Sequence, residues 1–350
     1  MTAAVLDRTT IEAADPGGML GDVLAQPHQL GDALWRAQSA GIPREDRPGG
    51  LVVCGMGGSA IGGDLATAAL GDRATRPITT VRGYALESWT GPDSLVLCAS
   101  YSGDTEETLA CFEAAGLLGC PRVVVTSGGR LAQLARQEDV PVIPVAGGLT
   151  ASTAVGYIVV AALEVAAQCE AGPRLTSEID VAAEHLEELV TAWGPESAED
   201  SEAKALARAL QGTIPVIAGA GLTTPLAQRW KAALNLVART PAFAAELPDL
   251  DHHEIAGWAG ADDVARFSAI FLDDSDTHPR VQARLALTRD LVAPHAASAH
   301  VIQTRGQNAV QRVLSLVLLG DLVAHYAAAL RGLDPAQPGP VEELKAELGA

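Results

Sequence analysis

The sequence predicts an α/β protein built from two doubly wound parallel sheets joined by a helical connector, and three observations predict it. Short β-branched runs alternate with longer Ala- and Leu-rich stretches, the pattern of parallel strands flanked by helices. The chain has 350 residues with 48% hydrophobic content, enough to bury a large core and to form two domains. The alternation gives way to charged helix from about Glu164 to Ala209 and then resumes.

Taken in order, residues 1–48 read as a helical segment with two short helices. Over 49–165 the runs Leu51–Cys54, Ile78–Val81, Leu95–Ala99, Arg122–Thr126 and Val140–Val145 each precede Gly, Ser or Pro punctuation and then a helical stretch. Five strands in such a repeat make one doubly wound sheet, which collects ligands at the carboxyl ends of its strands. The longest uncharged run, Val140–Leu163, is interrupted by Pro141, Pro144 and Gly147-Gly148, so it reads as a buried strand, a turn and a buried helix rather than a membrane span. Residues 166–210 form the connector, with Glu178, Asp180, Glu184, Glu187 and Glu188 on a solvated face. Over 211–330 the runs Ile214–Ala218, Ala269–Leu272 and His300–Thr304 predict a second, smaller sheet. The Pro-rich tail, 331–350, ends in a short amphipathic helix over Val341–Leu348.

The formal net charge of −19 argues against nucleic acid and anionic membrane as partners, since both demand clustered Lys and Arg. Small anions need only local positive potential and stay open. Met1 to Gly18 lacks the basic head and apolar core of a secretory signal, which predicts a cytoplasmic protein. Cys54, Cys98, Cys111, Cys120 and Cys169 sit at irregular spacings among apolar neighbours with no CxxC pair, the pattern of buried reduced thiols rather than of a metal or redox centre. Neither a metal nor a cofactor is expected.

Two motifs carry chemistry. Ser100-Tyr101-Ser102-Gly103-Asp104-Thr105-Glu106-Glu107-Thr108 places four Ser and Thr hydroxyls and a glycine where an apolar strand runs into a helix. First-turn N–H groups, the helix dipole and rotatable hydroxyls together suit a phosphate. Helix capping by a hydroxyl with Glu106 and Glu107 is the plainer alternative, but it accounts for one hydroxyl of the four. The second motif, Gly55-Met56-Gly57-Gly58-Ser59-Ala60-Ile61-Gly62-Gly63-Asp64, follows the first strand. Read as GxGxxA it fits a dinucleotide fingerprint, yet the next strand ends Val81-Arg82-Gly83 without the acidic residue that would bind a ribose. A monophosphate turn with Ser59 as added donor is preferred, and glycines serving only a tight turn are the remaining alternative.

Together these loops resemble the sugar isomerase (SIS) domain, in which such a glycine-serine turn and a Ser-Tyr-Ser-Gly-Asp/Asn-Thr loop hold a sugar phosphate. The resemblance continues through Ala227-Gln228-Arg229-Trp230-Lys231, Asn235, Pro241-Ala242-Phe243 and Pro248-Asp249-Leu250-Asp251-His252-His253-Glu254-Ile255, and at the far end through Gly320-Asp321, Leu333-Asp334-Pro335 and Leu344-Lys345. That series is similar to the bifunctional phosphoglucose/phosphomannose isomerases, with two flavodoxin-like SIS domains in one chain. The resemblance implies a phosphorylated hexose as ligand, a homodimer, and aldose–ketose isomerisation by proton transfer between C1 and C2. It assigns phosphate binding to Gly57, Gly58, Ser59, Ser100, Ser102 and Thr105, ring opening to His252 donated across a dimer interface, and a place near the ring to Lys345.

Two positions depart from the family pattern. Aligned without gaps between Arg229-Trp230-Lys231 and Pro241-Ala242-Phe243, the family's Asn-Glu-Asn-Ala-Lys, whose Glu is the base, lies over Asn235-Leu236-Val237-Ala238-Arg239. Leu236 has no lone pair with which to take a proton. After the fifth strand the family's Gly-Gly-Leu-Gln-Pro-Arg reads Gly147-Gly148-Leu149-Thr150-Ala151-Ser152, so the active-site arginine has become Ser152. The phosphate binders are kept and the groups acting at C1 and C2 are lost, which predicts sugar-phosphate binding with isomerisation weakened, altered or lost. The alternatives are an active isomerase with a relocated base, for which Glu246, Asp249, Asp251 and His253 are the nearest candidates, and a nucleotide-dependent Rossmann enzyme. His252 also reads as a partner in a helix start capped by Asp251, and Lys345 as a solvated lysine, one of three in the chain with Lys204 and Lys231.

Overall fold

The computed structural model describes residues 5–337 and 339–348. The chain divides into two compact units, one of Ala25–Ala183 with Pro338–Ala350 and the other of Met1–Leu24 with Glu184–Gln337. The boundary falls inside the helix Thr176–Trp193.

In the unit that contains Ala25–Ala183, β1 (Gly50–Cys54), β2 (Ile78–Val81), β3 (Ser94–Ala99), β4 (Arg122–Thr126) and β5 (Val142–Pro144) form one sheet in the order β2-β1-β3-β4-β5. Every pairing is parallel, with Cys54 opposite Val81 on one side and Cys98 on the other. β1 and β3 are buried along their whole length, as apolar runs covered on both faces must be. The order is the flavodoxin-type doubly wound arrangement, in which chain direction across the sheet reverses between β1 and β3. The helix Val155–Gln168 is buried from Val155 through Ala167 and packs against the helices Gln26–Ser39 and Gly57–Leu70. Among the described residues three helices precede β1 rather than two, because Pro27 lies in the first turn of a separate 14-residue helix, Gln26–Ser39, which sends Leu30, Ala33, Leu34 and Ala37 into the core.

In the second unit β6 (Ile214–Gly219), β7 (Phe243–Glu246), β8 (Phe267–Asp273) and β9 (Ser298–Gln303) form an all-parallel sheet in the order β7-β6-β8-β9. The sequence did not predict β7. Phe-Ala-Ala-Glu has neither a β-branched residue nor a clean alternation, and the pairing of Val216 to Gly219 with Phe243 to Glu246 makes it an edge strand. The core of this unit is the 22-residue helix Ala309–Leu330, which packs on the helices Thr224–Leu236 and Glu202–Ala209. By length and composition it could cross a membrane, but 94% of its apolar window is buried inside the protein, as in a core helix. Its Gly320 is fixed by packing, since a Cβ there would lie 2.4 Å from Nε1 of Trp230, which donates to the Leu316 carbonyl at 2.7 Å. Beside it the Arg229 guanidinium donates to Asp321 Oδ1 at 2.6 Å, both side chains buried.

Candidate functional site

In an open parallel sheet the ligand crevice lies outside the carboxyl ends of the strands where the winding reverses. In the first unit that place is between β1 and β3, and the two sequence motifs lead directly out of those strands. A Cβ on Gly55 would lie 2.9 Å from the Ala99 carbonyl oxygen, so the two exits adjoin.

The first exit opens the helix Gly57–Leu70 with no acidic residue in its first turn and no side-chain cap on its N–H groups. Gly57 has φ +51°, a left-handed conformation that favours glycine. Gly58 is packed against the turn after β5, where a Cβ would meet the Ala151 carbonyl oxygen at 2.4 Å and the Ser152 Cα at 3.8 Å. Ser59 is buried one residue further. The structure thus brings Gly57, Gly58 and Ser59 beside the turn that carries Ser152.

The second exit is a loop built on its own hydroxyls. Buried Ser100 bonds Thr105 through their hydroxyls at 2.9 Å and accepts from the Gly103 N–H at 3.1 Å, while the Ser102 hydroxyl accepts from the Asp104 N–H at 3.2 Å. Thr105 stands at the N-cap of the helix Glu106–Leu117 but makes no side-chain cap bond, so the capping account fails for it. Gly103 has φ +77°, and a Cβ there would sit 2.0 Å from the Gly128 carbonyl oxygen. Tyr101, whose role the sequence left open, ties the loop to the turn after β5: its hydroxyl accepts from the Leu149 N–H at 2.8 Å and donates to the Ala146 carbonyl at 3.3 Å. Asp104 accepts from the Arg130 N–H at 2.8 Å. The loop therefore presents hydroxyls and main-chain donors on a scaffold fixed from three sides, an arrangement that suits a phosphate monoester.

Glu106 and Glu107 occupy the first turn of the helix behind this loop, where they oppose an anion; Glu106 accepts from the Tyr84 hydroxyl at 3.2 Å. Arg82, at the end of β2, is paired with Asp64. The thiols behind the loops are buried and free. The hydrogen bond with Cys54, together with burial, pushes the Cys111 thiol up, and burial pushes that of Cys169 up to about 11, so these sulfurs stay protonated and unreactive near neutrality. A cavity of about 260 Å³ lined by Leu95, Cys120, Arg122, Pro141 and Cys169 opens at the opposite, amino edge of this sheet, away from both loops.

In the second unit the winding reverses between β6 and β8, but the equivalent exit is closed by its own side chains. Buried Asp274 is paired with buried Arg312 at 2.8 Å and accepts from the Thr304 hydroxyl at 2.6 Å, and the Thr223 hydroxyl donates to the Leu272 carbonyl at 2.8 Å.

The remaining predicted residues do not gather at one edge of this unit. Leu236 is the last residue of the helix Thr224–Leu236 and is 49% exposed. Asn235 before it accepts from the Ala242 N–H at 2.9 Å, so Leu236 lies near the amino edge, where β7 begins. The 13-residue helix spans about 18 Å at 1.5 Å per residue. At its other end the Thr224 hydroxyl donates to Glu246 at 3.4 Å, at the carboxyl end of β7. His252, exposed and without a hydrogen bond among the described residues, follows at that carboxyl edge in the turn Asp249–His252. Asp251 does not cap a helix; both its oxygens are taken, by Arg284 at 3.0 Å and the Thr288 hydroxyl at 2.7 Å. His253 lies 3.2 Å from Asp249. Lys345 is exposed on the helix Pro340–Leu348 and forms no hydrogen bond or ion pair with the described residues.

Residues 199–348 match the family model of the bacterial phospho-glucose isomerase C-terminal SIS domain. The chain is 31% identical over 301 residues to a bifunctional phosphoglucose/phosphomannose isomerase of Caldicellulosiruptor bescii, covering 85% of this chain and 89% of the relative. It is 32% identical over 300 residues to the protein of that name from Aquifex aeolicus, covering 85% and 90%. Its fold is that of a glucose-6-phosphate isomerase like protein from Thermus thermophilus, with a TM-score of 0.64, 20% identity and 98% and 99% of the two chains covered. Agreement of this extent, in sequence along most of the chain and in fold along nearly all of it, places the protein: it belongs to the bifunctional phosphoglucose/phosphomannose isomerase family.

Proposed function

We propose that the chain binds a phosphorylated hexose through Gly57, Gly58, Ser59, Ser100, Ser102 and Thr105, and that its aldose–ketose isomerisation is weakened, altered or lost. The observation that carries this is a contrast in one fold. The loops at the β1 and β3 exits keep their hydroxyls and strained glycines, while Leu236 and Ser152 occupy the positions that the family resemblance gives to a base and a cation. Binding without its usual base is the combination that results, and loss of a general base costs on the order of 10²–10⁴ in rate. In this reading residues 49–165 are the sugar-phosphate domain, 211–330 its companion SIS domain and 166–210 the connector, in a cytoplasmic protein.

The protein acts as a homodimer in this reading. His252 and Leu236 lie at opposite edges of one sheet, separated by a helix that spans about 18 Å, so a single hexose that meets both positions must draw them from two copies. Sedimentation in solution tests the dimer, and a monomer at micromolar concentration with full sugar binding would refute it. Lys345 completes the list of residues proposed near the ring.

Calorimetry with fructose, glucose and mannose 6-phosphate tests the binding. The Ser100→Ala, Ser102→Ala double variant should lose at least tenfold in affinity, since hydrogen bonds to charged groups contribute about 1.5–3 kcal/mol. No heat with any of the three sugars, in the wild type as in the double variant, would sink the proposal. A second reading, an isomerase with a relocated base, is favoured by the titratable groups Glu246, Asp249, Asp251 and His253 in the segment that bears His252. Deuterium uptake at C2 during incubation with fructose 6-phosphate in D₂O separates the two readings.

A further inference from the structure

The two loops that suit a phosphate carry no positive charge of their own. Residues 100–108 hold three carboxylates, Asp104, Glu106 and Glu107, and no Lys, Arg or His; residues 55–64 add Asp64 and again no cation. The turn of residues 146–152, which meets Tyr101 on one side and Gly58 on the other, is uncharged. What the loops offer an anion is neutral. It consists of the Ser59, Ser100, Ser102 and Thr105 hydroxyls and the first-turn N–H groups of the helices Gly57–Leu70 and Glu106–Leu117, neither of which has a side-chain cap.

The arginines of the neighbouring elements are committed to carboxylates. Arg82, at the end of β2, is paired with Asp64. Arg130, whose main-chain N–H binds Asp104, holds its guanidinium 3.6 Å from Glu113. Arg36, on the helix Gln26–Ser39, is paired with Asp32 at 2.7 Å, and Asp32 also accepts from the Tyr157 hydroxyl at 2.6 Å. Among the described residues no Lys, Arg or His side chain hydrogen-bonds to residues 55–59 or 100–105. Glu106 is exposed and meets only the Tyr84 hydroxyl, at 3.2 Å, among the described residues.

This balance bears on the charge that the ligand can carry. Each helix N-terminus supplies the equivalent of about half a positive charge. A first negative charge on the ligand is met by those termini and by the hydroxyl donors. A second finds no further donor of opposite charge and is repelled by Asp104, Glu106 and Glu107. A phosphate monoester gives up its second proton at about pH 6, so near neutrality it exists as both monoanion and dianion. The monoanion also brings an O–H, which hydroxyl oxygens can accept and a guanidinium or ammonium cannot.

We propose that this site takes the phosphate group of its ligand as the monoanion, and that the esters it accepts therefore include sugar sulfates, which carry a single negative charge across the neutral range. The proposal rests on the reading that these loops hold a phosphorylated hexose, and it adds the charge state in which the ester is bound. Above pH 6, binding of the phosphate then takes up one proton from solution, placed on a phosphate oxygen.

Calorimetry of the wild type with glucose 6-phosphate and glucose 6-sulfate, between pH 6 and pH 8, tests this. Affinity for the phosphate should fall by about tenfold per pH unit once its second proton is gone, and at pH 7.5 its heat should vary with buffer as uptake of about one proton requires. Affinity for the sulfate should stay level over the same range and exceed that for the phosphate at pH 8. The sulfate group does not titrate here, so an equal slope for both esters would assign the titration to the protein and overturn the proposal. A phosphate affinity that stays level or rises toward pH 8 overturns it too, as does a site that binds the phosphate and rejects the sulfate; each of these leaves the phosphate-binding reading standing. The Glu106→Gln, Glu107→Gln double variant should flatten the phosphate slope, and a slope as steep as that of the wild type would remove the electrostatic ground of the proposal. No heat with either ester at any pH overturns the phosphate-binding reading, and the proposal with it.

Discussion

Alanine at Gly58 tests whether the turn bearing Ser152 is built against the helix that opens the phosphate site. Gly58 lies in the first turn of the helix Gly57–Leu70 with an ordinary helical backbone, so alanine brings no strain in φ. In an open helix the same exchange helps, by up to about 1 kcal/mol. Here the new methyl would sit 2.4 Å from the Ala151 carbonyl oxygen, about 1 Å inside ordinary contact, and the obstacle is backbone rather than a side chain that can swing away. Such overpacking costs about 1–3 kcal/mol. At about 2–4 °C per kcal/mol for a domain of this size, Gly58→Ala should lower Tm by about 2–12 °C. Gly31 supplies the comparison: it lies in the helix Gln26–Ser39, where a Cβ would meet no heavy atom within 4 Å, and Gly31→Ala should leave Tm unchanged or raise it. Because Gly58→Ala displaces Ala151 and Ser152, it should also weaken sugar-phosphate binding in calorimetry, which Gly31→Ala should not. A Gly58→Ala protein with Tm and affinity equal to those of Gly31→Ala would refute the packing of this turn against the phosphate site.

Four further outcomes concern buried charges and the altered positions. Glu164 is buried in the helix Val155–Gln168, and burial raises its carboxyl above the ordinary value; the folded state then holds the proton more tightly, stability falls as pH rises from the ordinary carboxylate value through the folded one, and Glu164→Gln should raise Tm at pH 8 more than at pH 4.5. His325 is the reverse case, since burial lowers its value and it must stay neutral to remain folded; Tm of the wild type should fall between pH 7.5 and 5.5, and His325→Gln should flatten that fall. Asp321→Ala should cost about 3–5 kcal/mol in urea unfolding, because it removes the carboxylate that the buried Arg229 guanidinium meets at 2.6 Å. Leu236→Glu combined with Ser152→Arg should raise isomerase turnover by about 10²-fold or more, and no gain would show that these positions do not act at C1 and C2.

The strand-and-helix alternation was legible because five strands of the first sheet are apolar runs bounded by Gly, Ser or Pro, and the observed β2 and β4 coincide with the runs Ile78–Val81 and Arg122–Thr126. β7 escaped because an edge strand of four residues takes its conformation from its neighbour β6 and not from its own side chains. The loop at the exit of β3 could be read as a loop built on hydroxyls because its hydrogen bonding is local: Ser100, Ser102, Gly103 and Thr105 hydrogen-bond within six residues of one another. The bond from Leu149 to the Tyr101 hydroxyl and the packing of Gly58 on Ala151 join segments 48 and 93 residues apart, and no periodicity encodes them. The same holds for Asp251, which reads in sequence as a helix cap and is instead claimed by Arg284 and Thr288, more than 30 residues away.

What each residue does for the fold separates the hydroxyl loops from position 236. Ser100 is buried and satisfies the Gly103 N–H, and Gly103 accepts no side chain against Gly128, so changes in that loop cost stability before they cost binding. Position 236 is different. It is the half-exposed final residue of a helix, and leucine there neither leaves a buried polar group unpaired nor opens a cavity. A glutamate at such a site contributes to chemistry and little to folding, so its replacement is nearly neutral for stability. Ser152 likewise sits on an exposed-to-half-buried turn whose shape is set by the Thr150 and Thr153 hydroxyls and by Gly58. The hydroxyl loops are therefore tied to the fold while positions 152 and 236 are not, so substitution at those two positions leaves the loops and the fold in place.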